Sequence, residues 1–378
     1  LPDKRLLSTE ERKRFIALRR AFKKPVIGIT GLFGKTTTIE MLNSILSTRG
    51  NVLRSKSGQG TWKHNIQILE KMDDNYDYAV FEFDYRQGKN FAEILRLIKP
   101  TIGLVTNIGD AHLNYLSGML KVALKKSEVV KYLARNGVAI LNKDDEMCSS
   151  LNRFIDTENI IKYGLNHTAD YYLSDIEQLG PDGMKFLING KIAAKIPIYS
   201  VLDVYNFLAA FSIAMQLDFS VDQIVAAIAE NYKQPKGRGA LIRINNHYLL
   251  DESYLATPRS VSKAIRSLLS FKTYTDKLIF ITGDMSGSGT NIEDSHLNMG
   301  YFISALPIDH IICVGNYAHY LGRGAKLISN DSKIVHNVQN LDEVLNIVKR
   351  ESKGGSVAVS VKGLGMTAIH RISKILEN

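Results

Sequence analysis

The chain has 378 residues, 45% of them hydrophobic and 23% charged, with a formal net charge of +10. That length and apolar content exclude a disordered tail or a mini-protein and predict two or three globular domains; no uncharged apolar run approaches the roughly 18 residues of a membrane span, and no secretory signal is visible. Cys148 and Cys313 stand far apart and outside any CxxC or Cys/His spacing, which argues against a disulfide framework or a zinc site and suits a reducing cytoplasm.

The charge is concentrated at the start. Residues 1–24 hold nine Lys/Arg against three acids, a net +6, which leaves +4 for all the rest. A nucleic-acid reader would spread its basic surface over the fold, so neither nucleic acid nor membrane is expected as a partner. The chain begins at Leu1 rather than Met, which implies processing, trimming or an upstream segment. Ser8 with Glu11 reads as a capping box, and Phe15, Leu18 and Phe22 recur at helical spacing up to Pro25. The expectation is a short basic connector helix over 1–24.

Val26–Thr30 reads as a strand, followed by a glycine-punctuated turn and a helix over Thr36–Leu46. Apolar runs at Tyr78–Phe81, Ile102–Thr106 and Val138–Leu141 alternate with helical stretches at Phe91–Ile98 and Val122–Leu133. The alternation predicts an α/β domain with a mainly parallel sheet, a P-loop NTPase-like domain over 25–235. A helical, alanine-rich stretch from Val204 to Glu230 ends at Gln234-Pro235-Lys236-Gly237, the expected domain boundary. Strands at Tyr248–Leu250, Leu278–Ile281, His310–Val314 and Val357–Val361 then restart the pattern. They predict a smaller, Rossmann-like α/β domain over 236–378.

The most informative segment is Gly28-Ile-Thr-Gly31-Leu-Phe-Gly34-Lys35-Thr36-Thr37-Thr38. Glycines between a strand and a helix let backbone N–H groups close around phosphates, Lys35 reaches the β/γ-phosphates, and Thr36 ligates Mg²⁺. Gly31, Gly34 and Thr37 belong to the same cradle. The strict GxxxxGK[ST] pattern fails at Ile29, where its first glycine belongs. Glu82 follows one strand, and Asn107 and His112 follow the next. Residues just past the carboxyl ends of parallel strands converge on the ligand crevice, where an acid and an imidazole suit a divalent metal beside phosphates.

The segment Val26–Leu42, the stretch Pro100-Thr-Ile-Gly-Leu-Val-Thr-Asn107-Ile-Gly-Asp-Ala-His112-Leu and Lys126-Ser-Glu-Val together resemble the ATP-dependent Mur ligases of cell-wall peptide synthesis. The nearest likeness is to the branch that adds D-alanyl-D-alanine to a UDP-muramoyl tripeptide. It continues through Leu141-Asn-Lys-Asp-Asp145, Asn206-Phe-Leu-Ala-Ala210, Pro235-Lys-Gly-Arg238, Asp251-Glu-Ser-Tyr254-Leu-Ala-Thr-Pro258, Gly283-Asp284-Met285 and Val361-Lys362-Gly363, in order along nearly the whole chain.

The resemblance implies an enzyme, an acid–amino-acid ligase that uses ATP and Mg²⁺ to form an acyl phosphate which an amine then attacks. Lys35 and Thr36 would hold ATP phosphates and Mg²⁺, Glu82 would ligate the same metal, and His112 would bind a second Mg²⁺. Lys126 matches a lysine that family members carbamylate into an anionic metal bridge, which makes Lys35, Lys126 and His112 the catalytic set. Asn206 matches an adenine contact, Arg238 a nucleotide phosphate contact, and Asp251 or Glu252 a ribose contact. Nucleotide contacts on both sides of residue 235 would make domain closure part of assembling the site.

Several positions depart from the family pattern. Only 27 residues precede Gly28, whereas a full Mur ligase first has a domain that grips the UDP-sugar; the expectation is a missing N-terminal substrate-binding domain or a different acceptor module. Phe83-Asp84-Tyr85-Arg86-Gln87 replaces a Met-Gly segment, Ser200-Val-Leu202 a Gly-x-His, and Leu364-Gly365 a Ser-Arg pair. His296 reads as a helix-packing residue and Trp62-Lys63-His64 as a loop. A cytoplasmic monomer acting on a small-molecule carboxylate and amine is expected. The alternatives are an ATP-binding switch or scaffold of the same fold without ligation, and a two-domain ligase of substrates outside the cell wall.

Overall fold

The computed structural model describes residues 7–56, 58–84, 90–109, 119–286, 291–328 and 334–377. They form two compact units. The first holds the described residues up to 176 together with 186–196 and 203–232; the second holds 177–185, 197–202 and those from 233 onward.

In the first unit the chain runs α1 (Thr9–Ala21), β1 (Val26–Thr30), α2 (Lys35–Leu46), β2 (Val52–Arg54), α3 (Trp62–Leu69), β3 (Tyr78–Glu82), α4 (Asn90–Ile98), β4 (Ile102–Val105), α5 (Met119–Lys131), β5 (Val138–Asn142) and α6 (Glu146–Ser149). It continues through β6 (Ile160–Gly164), β7 (Tyr171–Gln178), β8 (Met184–Ile188), β9 (Ile192–Ile196), α7 (Val201–Met215) and α8 (Val221–Asn231). Among the described residues the sheet order is β2-β3-β1-β4-β5-β6-β7-β8-β9. β1 lies between β3 and β4, parallel to both, and every residue of its Val-Ile-Gly-Ile-Thr run is buried. A strand covered on both faces needs such an unbroken apolar run.

α1 starts with the expected capping box, Glu11 N–H donating to Ser8 Oγ (3.1 Å) and Ser8 N–H to Glu11 Oε2 (2.8 Å). Phe15 and Phe22 are buried in the core of the first unit, worth about 2 kcal/mol each. Its basic residues serve that packing: Arg12 pairs with Glu93, Arg14 with Glu70 (3.8 Å), and Arg19 donates to Ile98 O, to Lys99 O (3.0 Å) and to Phe22 O (3.0 Å). A guanidinium on the last carbonyls of α4 satisfies acceptors that a helix end leaves open.

The second unit contains β10 (Ala240–Ile244), β11 (His247–Glu252), α9 (Pro258–Leu269), β12 (Lys277–Thr282), α10 (Ile292–Ser304), β13 (His310–Val314), α11 (Ala318–Ile328), β14 (Ile334–Val338), α12 (Leu341–Ser352), β15 (Val357–Lys362) and α13 (Gly365–Glu377). Its sheet order is β10-β11-β15-β12-β13-β14, antiparallel only at β10–β11. Alternate residues feed two cores, Leu278 and Phe280 into one and Ile279 and Ile281 into the other, as the two-residue period of a strand requires. The register aligns Glu252, Lys362 and Thr282 across the carboxyl ends of β11, β15 and β12.

Two local expectations change. Trp62, Lys63 and His64 open helix α3, and Trp62 is buried rather than lying in a loop. The stretch Val204–Glu230 is two helices, broken where Asp218 takes a positive φ of 61° and Ser220 with Gln223 forms a new capping box.

Candidate active site

The loop between β1 and α2 is shaped by close approach. Gly34 caps α2 with φ 83°, a left-handed conformation that glycine adopts without a β-carbon penalty. A β-carbon there would lie 2.0 Å from Asn206 Oδ1, and one on Gly31 would lie 1.8 Å from Thr106 Oγ1. Thr106 Oγ–H donates to Phe33 O (2.7 Å). Asn107 Oδ1 accepts from the N–H groups of Leu32 (3.2 Å) and Phe33 (3.0 Å), and its Nδ2 donates to Phe33 O (3.0 Å). Asn107 therefore holds the loop, with its amide committed to backbone. Lys35 Nζ donates to Gly31 O (3.1 Å) and Leu32 O (3.4 Å), so the ammonium lies over the loop at the N-terminus of α2. Backbone N–H groups, a helix dipole and a lysine there form an anion site.

Glu82 is level with Ile29 at the end of β1. Its carboxylate is buried and lies with Oε2 3.4 Å from Thr36 Oγ1, while Ser55 Oγ accepts from its backbone N–H (2.9 Å). A hydroxyl and a carboxylate at the mouth of an anion loop are hard oxygen donors, and they fit Mg²⁺, which takes one or two carboxylates and completes its shell with phosphates and water. Among the described residues no group of three or more His, Cys, Asp and Glu side chains forms a self-contained metal cage. His112 lies outside the described residues.

Lys126, on α5, is 1% exposed. Burial lowers its ammonium pKa to about 7, the nearby charge of Lys35 adds to that, and Asp84 and Cys148 act the other way. Asn206, on α7, reaches the loop at Gly34 and donates from Nδ2 to Asp203 Oδ1 (2.9 Å). Sequence reading missed Thr106, Ser55 and Asp203. Thr106 and Ser55 stand just past strand ends, where polar residues of a parallel sheet face the crevice, and that position was the available signal.

In the second unit Asp251 Oδ2 accepts from Gly237 N–H (2.8 Å), and its Oδ1 accepts from Ser253 N–H (3.1 Å) and Oγ–H (2.6 Å). Glu252 is equally buried, but its Oε1 has no hydrogen-bond partner. It stands 3.7 Å from Lys263 Nζ, and Oε2 stands 3.5 Å from Lys362 Nζ. Arg238 lies with Cζ 4.3 Å over the Tyr254 ring. His296 is wholly buried: Nε2 accepts from Met285 N–H (2.8 Å), so the ring proton is on Nδ1, which donates to Ile292 O (2.7 Å). That is the packing role its helix position predicts.

A strand–glycine loop–helix within a mainly parallel sheet, with lysine, threonine and a facing carboxylate, has the architecture of a P-loop-like α/β protein. Residues 29–214 match the family model for the Mur ligase middle domain. The UDP-N-acetylmuramoyl-tripeptide--D-alanyl-D-alanine ligase of Escherichia coli K12 is 26% identical over 92% of this chain and 78% of its own length. Its counterpart in Bacillus subtilis is 26% identical over 93% and 76%. A crystal structure of MurF from Acinetobacter baumannii superposes with a TM-score of 0.85 at 26% identity, covering 97% of this chain and 80% of that one. The chain belongs to the Mur ligase family. MurF ligase from Thermotoga maritima in complex with ADP, at 20% identity and a TM-score of 0.78, shares the fold.

Proposed function

We propose that the chain is an ATP-dependent ligase of the cytoplasm that joins the carboxylate of a UDP-muramoyl peptide to the amino group of an amino acid or dipeptide. The observation that carries the reading is the Thr36–Glu82 pair, 3.4 Å apart at the mouth of the Gly34–Lys35 loop, in a chain whose 26%-identical relatives are UDP-N-acetylmuramoyl-tripeptide--D-alanyl-D-alanine ligases.

Amide formation from a carboxylate is uphill in water, so the carboxylate must first be activated. A carboxylate oxygen of the acceptor attacks the γ-phosphorus of ATP, the β–γ bridging bond breaks, and ADP leaves. The amine then attacks the carbonyl carbon of the acyl phosphate, loses a proton, and the tetrahedral centre expels phosphate. Charge builds on the phosphoryl oxygens in the first step, and a fixed ammonium and fixed N–H dipoles beside them lower that barrier. Lys35 and the N–H groups from Gly34 to Thr37 supply both, those of Leu32 and Phe33 being taken by Asn107. Thr36 and Glu82 would hold Mg²⁺, which adds positive charge to the same oxygens, and His112 is assigned to a second Mg²⁺.

Asn206 is assigned to the adenine and Arg238 to a nucleotide phosphate. Glu252 rather than Asp251 is assigned to the ribose, because both Asp251 oxygens are committed to Gly237 and Ser253 whereas Glu252 Oε1 has no hydrogen bond. Lys126 is assigned as a carbamylation site. Only a neutral amine adds to CO₂, and a pKa of about 7 leaves a large neutral fraction at neutral pH.

The test is ADP release measured with acceptor and amine each omitted in turn, together with hydroxylamine trapping of the acyl phosphate as a hydroxamate. Release that needs the acceptor, trapping without the amine, and loss of both in Lys35→Ala are expected. ATP binding with no hydroxamate from a UDP-muramoyl peptide would instead favour a nucleotide-binding scaffold.

A further inference from the structure

The turn at residues 234–239 is laced to the end of β11 with unusual density. Gly237 N–H donates to Asp251 Oδ2 (2.8 Å), Gly239 N–H to Asp251 O (2.7 Å) and Tyr254 N–H to Gly237 O (3.2 Å). Arg238 O accepts from Gln234 Nε2 (2.8 Å) and Lys263 Nζ (3.3 Å). Gly237 has φ 75°, and a β-carbon there would lie 2.9 Å from Tyr254 N. The Arg238 backbone is therefore fixed against residues 251–254.

The side chain that this turn presents is a cation with an aromatic seat. Arg238 Cζ lies 4.3 Å over the Tyr254 ring. Lys263 and Lys362 already converge on Glu252, and among the described residues Arg238 makes no ion pair of its own. Tyr254 is 54% exposed, so core packing does not explain its ring. A carboxylate partner would have to be displaced before the guanidinium could take an anion. An aromatic face holds the plane of the guanidinium while leaving its edge N–H donors open for bidentate contact with phosphate.

We propose that Tyr254 is a positioning residue: its ring, set by the Asp251-laced turn, holds Arg238 flat and unneutralised for a nucleotide phosphate. The inference rests on the assignment of Arg238 to that phosphate.

The experiment uses the intact chain and isothermal titration with Mg²⁺ and a non-hydrolysable ATP analogue. Tyr254→Ala and Tyr254→Leu are expected to weaken binding about two- to fivefold, the range of an exposed cation–π contact. Tyr254→Phe and Tyr254→Trp keep a π face and are expected to restore wild-type affinity. In an Arg238→Ala background the Tyr254→Ala change is expected to have no further effect. Wild-type binding by Tyr254→Leu would reduce the ring to bulk, and a Tyr254 effect that survives in Arg238→Ala would place its action elsewhere; either result overturns the proposal. Should Arg238→Ala itself bind normally, the phosphate assignment falls and the inference with it, a failure distinct from the other two. Melting temperatures of the four Tyr254 variants are expected to match wild type, since more than half of the side chain is in solvent.

Discussion

Each unit buries a lysine, and the two lysines are treated differently. Lys126 in the first unit and Lys362 in the second are both almost fully inaccessible, and burial lowers both pKa values. The next largest influence differs in sign. For Lys126 it is the repelling charge of Lys35, and the pKa falls to about 7. For Lys362 it is the attraction of Glu252, its register neighbour across the sheet. One lysine is thus brought near neutrality, while the other is kept as the cationic half of a buried pair. A neutral amine is a nucleophile toward CO₂ and an ammonium is not, so the carbamylation proposed for Lys126 has a counterpart in Lys362 for which it is not expected.

The largest expected effect tests the first half. Supplying ¹³C-bicarbonate to the wild-type chain should give a carbamate signal in ¹³C NMR, growing between pH 6 and 8 as the neutral fraction of Lys126 rises through about 7. Lys126→Arg should lose that signal, and Lys126→Gln should lower turnover about 10- to 100-fold, the cost of disturbing a metal's supporting shell. A wild-type spectrum with no carbamate would refute the modification. The sign for stability is fixed as well. The folded pKa lies below the ordinary lysine value of 10.5, so the folded state binds fewer protons between about 7 and 10.5 and this group's contribution to stability rises with pH across that window.

Breaking the second pair should act on stability before chemistry. Lys362→Met leaves Glu252 buried with Lys263, 3.7 Å away, as its one remaining ion-pair partner among the described residues, and should cost about 3 kcal/mol in urea unfolding, the low end for breaking a buried pair. Adding Glu252→Gln to Lys362→Met should recover part of that loss, because no unpaired charge then remains. Equal losses in the single and double variants would show that the pair is worth no more than its packing.

Legibility in the sequence followed the same division between pattern and direction. Val26–Thr30, the glycine turn and the Lys-Thr-Thr-Thr start of α2 stood out because an unbroken apolar run, φ-permissive glycines and a helical period each leave a local mark. α3 did not, because Trp62-Lys63-His64 reads as loop, while its burial of Trp62 and Leu69 depends on the core it meets. Ser220 and Gln223 could have divided the long helical stretch, since a capping box is a local signal. Where side chains point was beyond reach. Asn107 was legible as a residue past a strand end, but not that its amide closes on Leu32 and Phe33. Asp251 and Glu252 are adjacent, and their hydrogen bonds rather than their spacing distinguish them.

The smallest effect asks whether burial acts on imidazoles as it does on the lysines. His310 and His336 lie at the β13–β14 pairing with ring nitrogens 3.5 Å apart, and Glu351, bonded to Lys277 and Arg350, stands 3.2 Å from His310 Nε2. Burial lowers both histidine pKa values. Glu351 opposes this at both rings, whereas Lys277 and Arg350 add to it at His310, and His310, Arg350 and Lys326 add to it at His336. The folded state then binds fewer protons than the unfolded chain below the ordinary imidazole pKa near 6.5, so stability should be complete above that pH and decline as pH falls through the depressed values. Urea midpoints measured from pH 7.5 to 5 should fall, and His336→Gln should flatten that slope, because it removes one of the two rings whose pKa burial depresses. A slope unchanged in His336→Gln would assign the acid sensitivity to carboxylates instead, and burial would then govern the two lysines without governing this histidine pair.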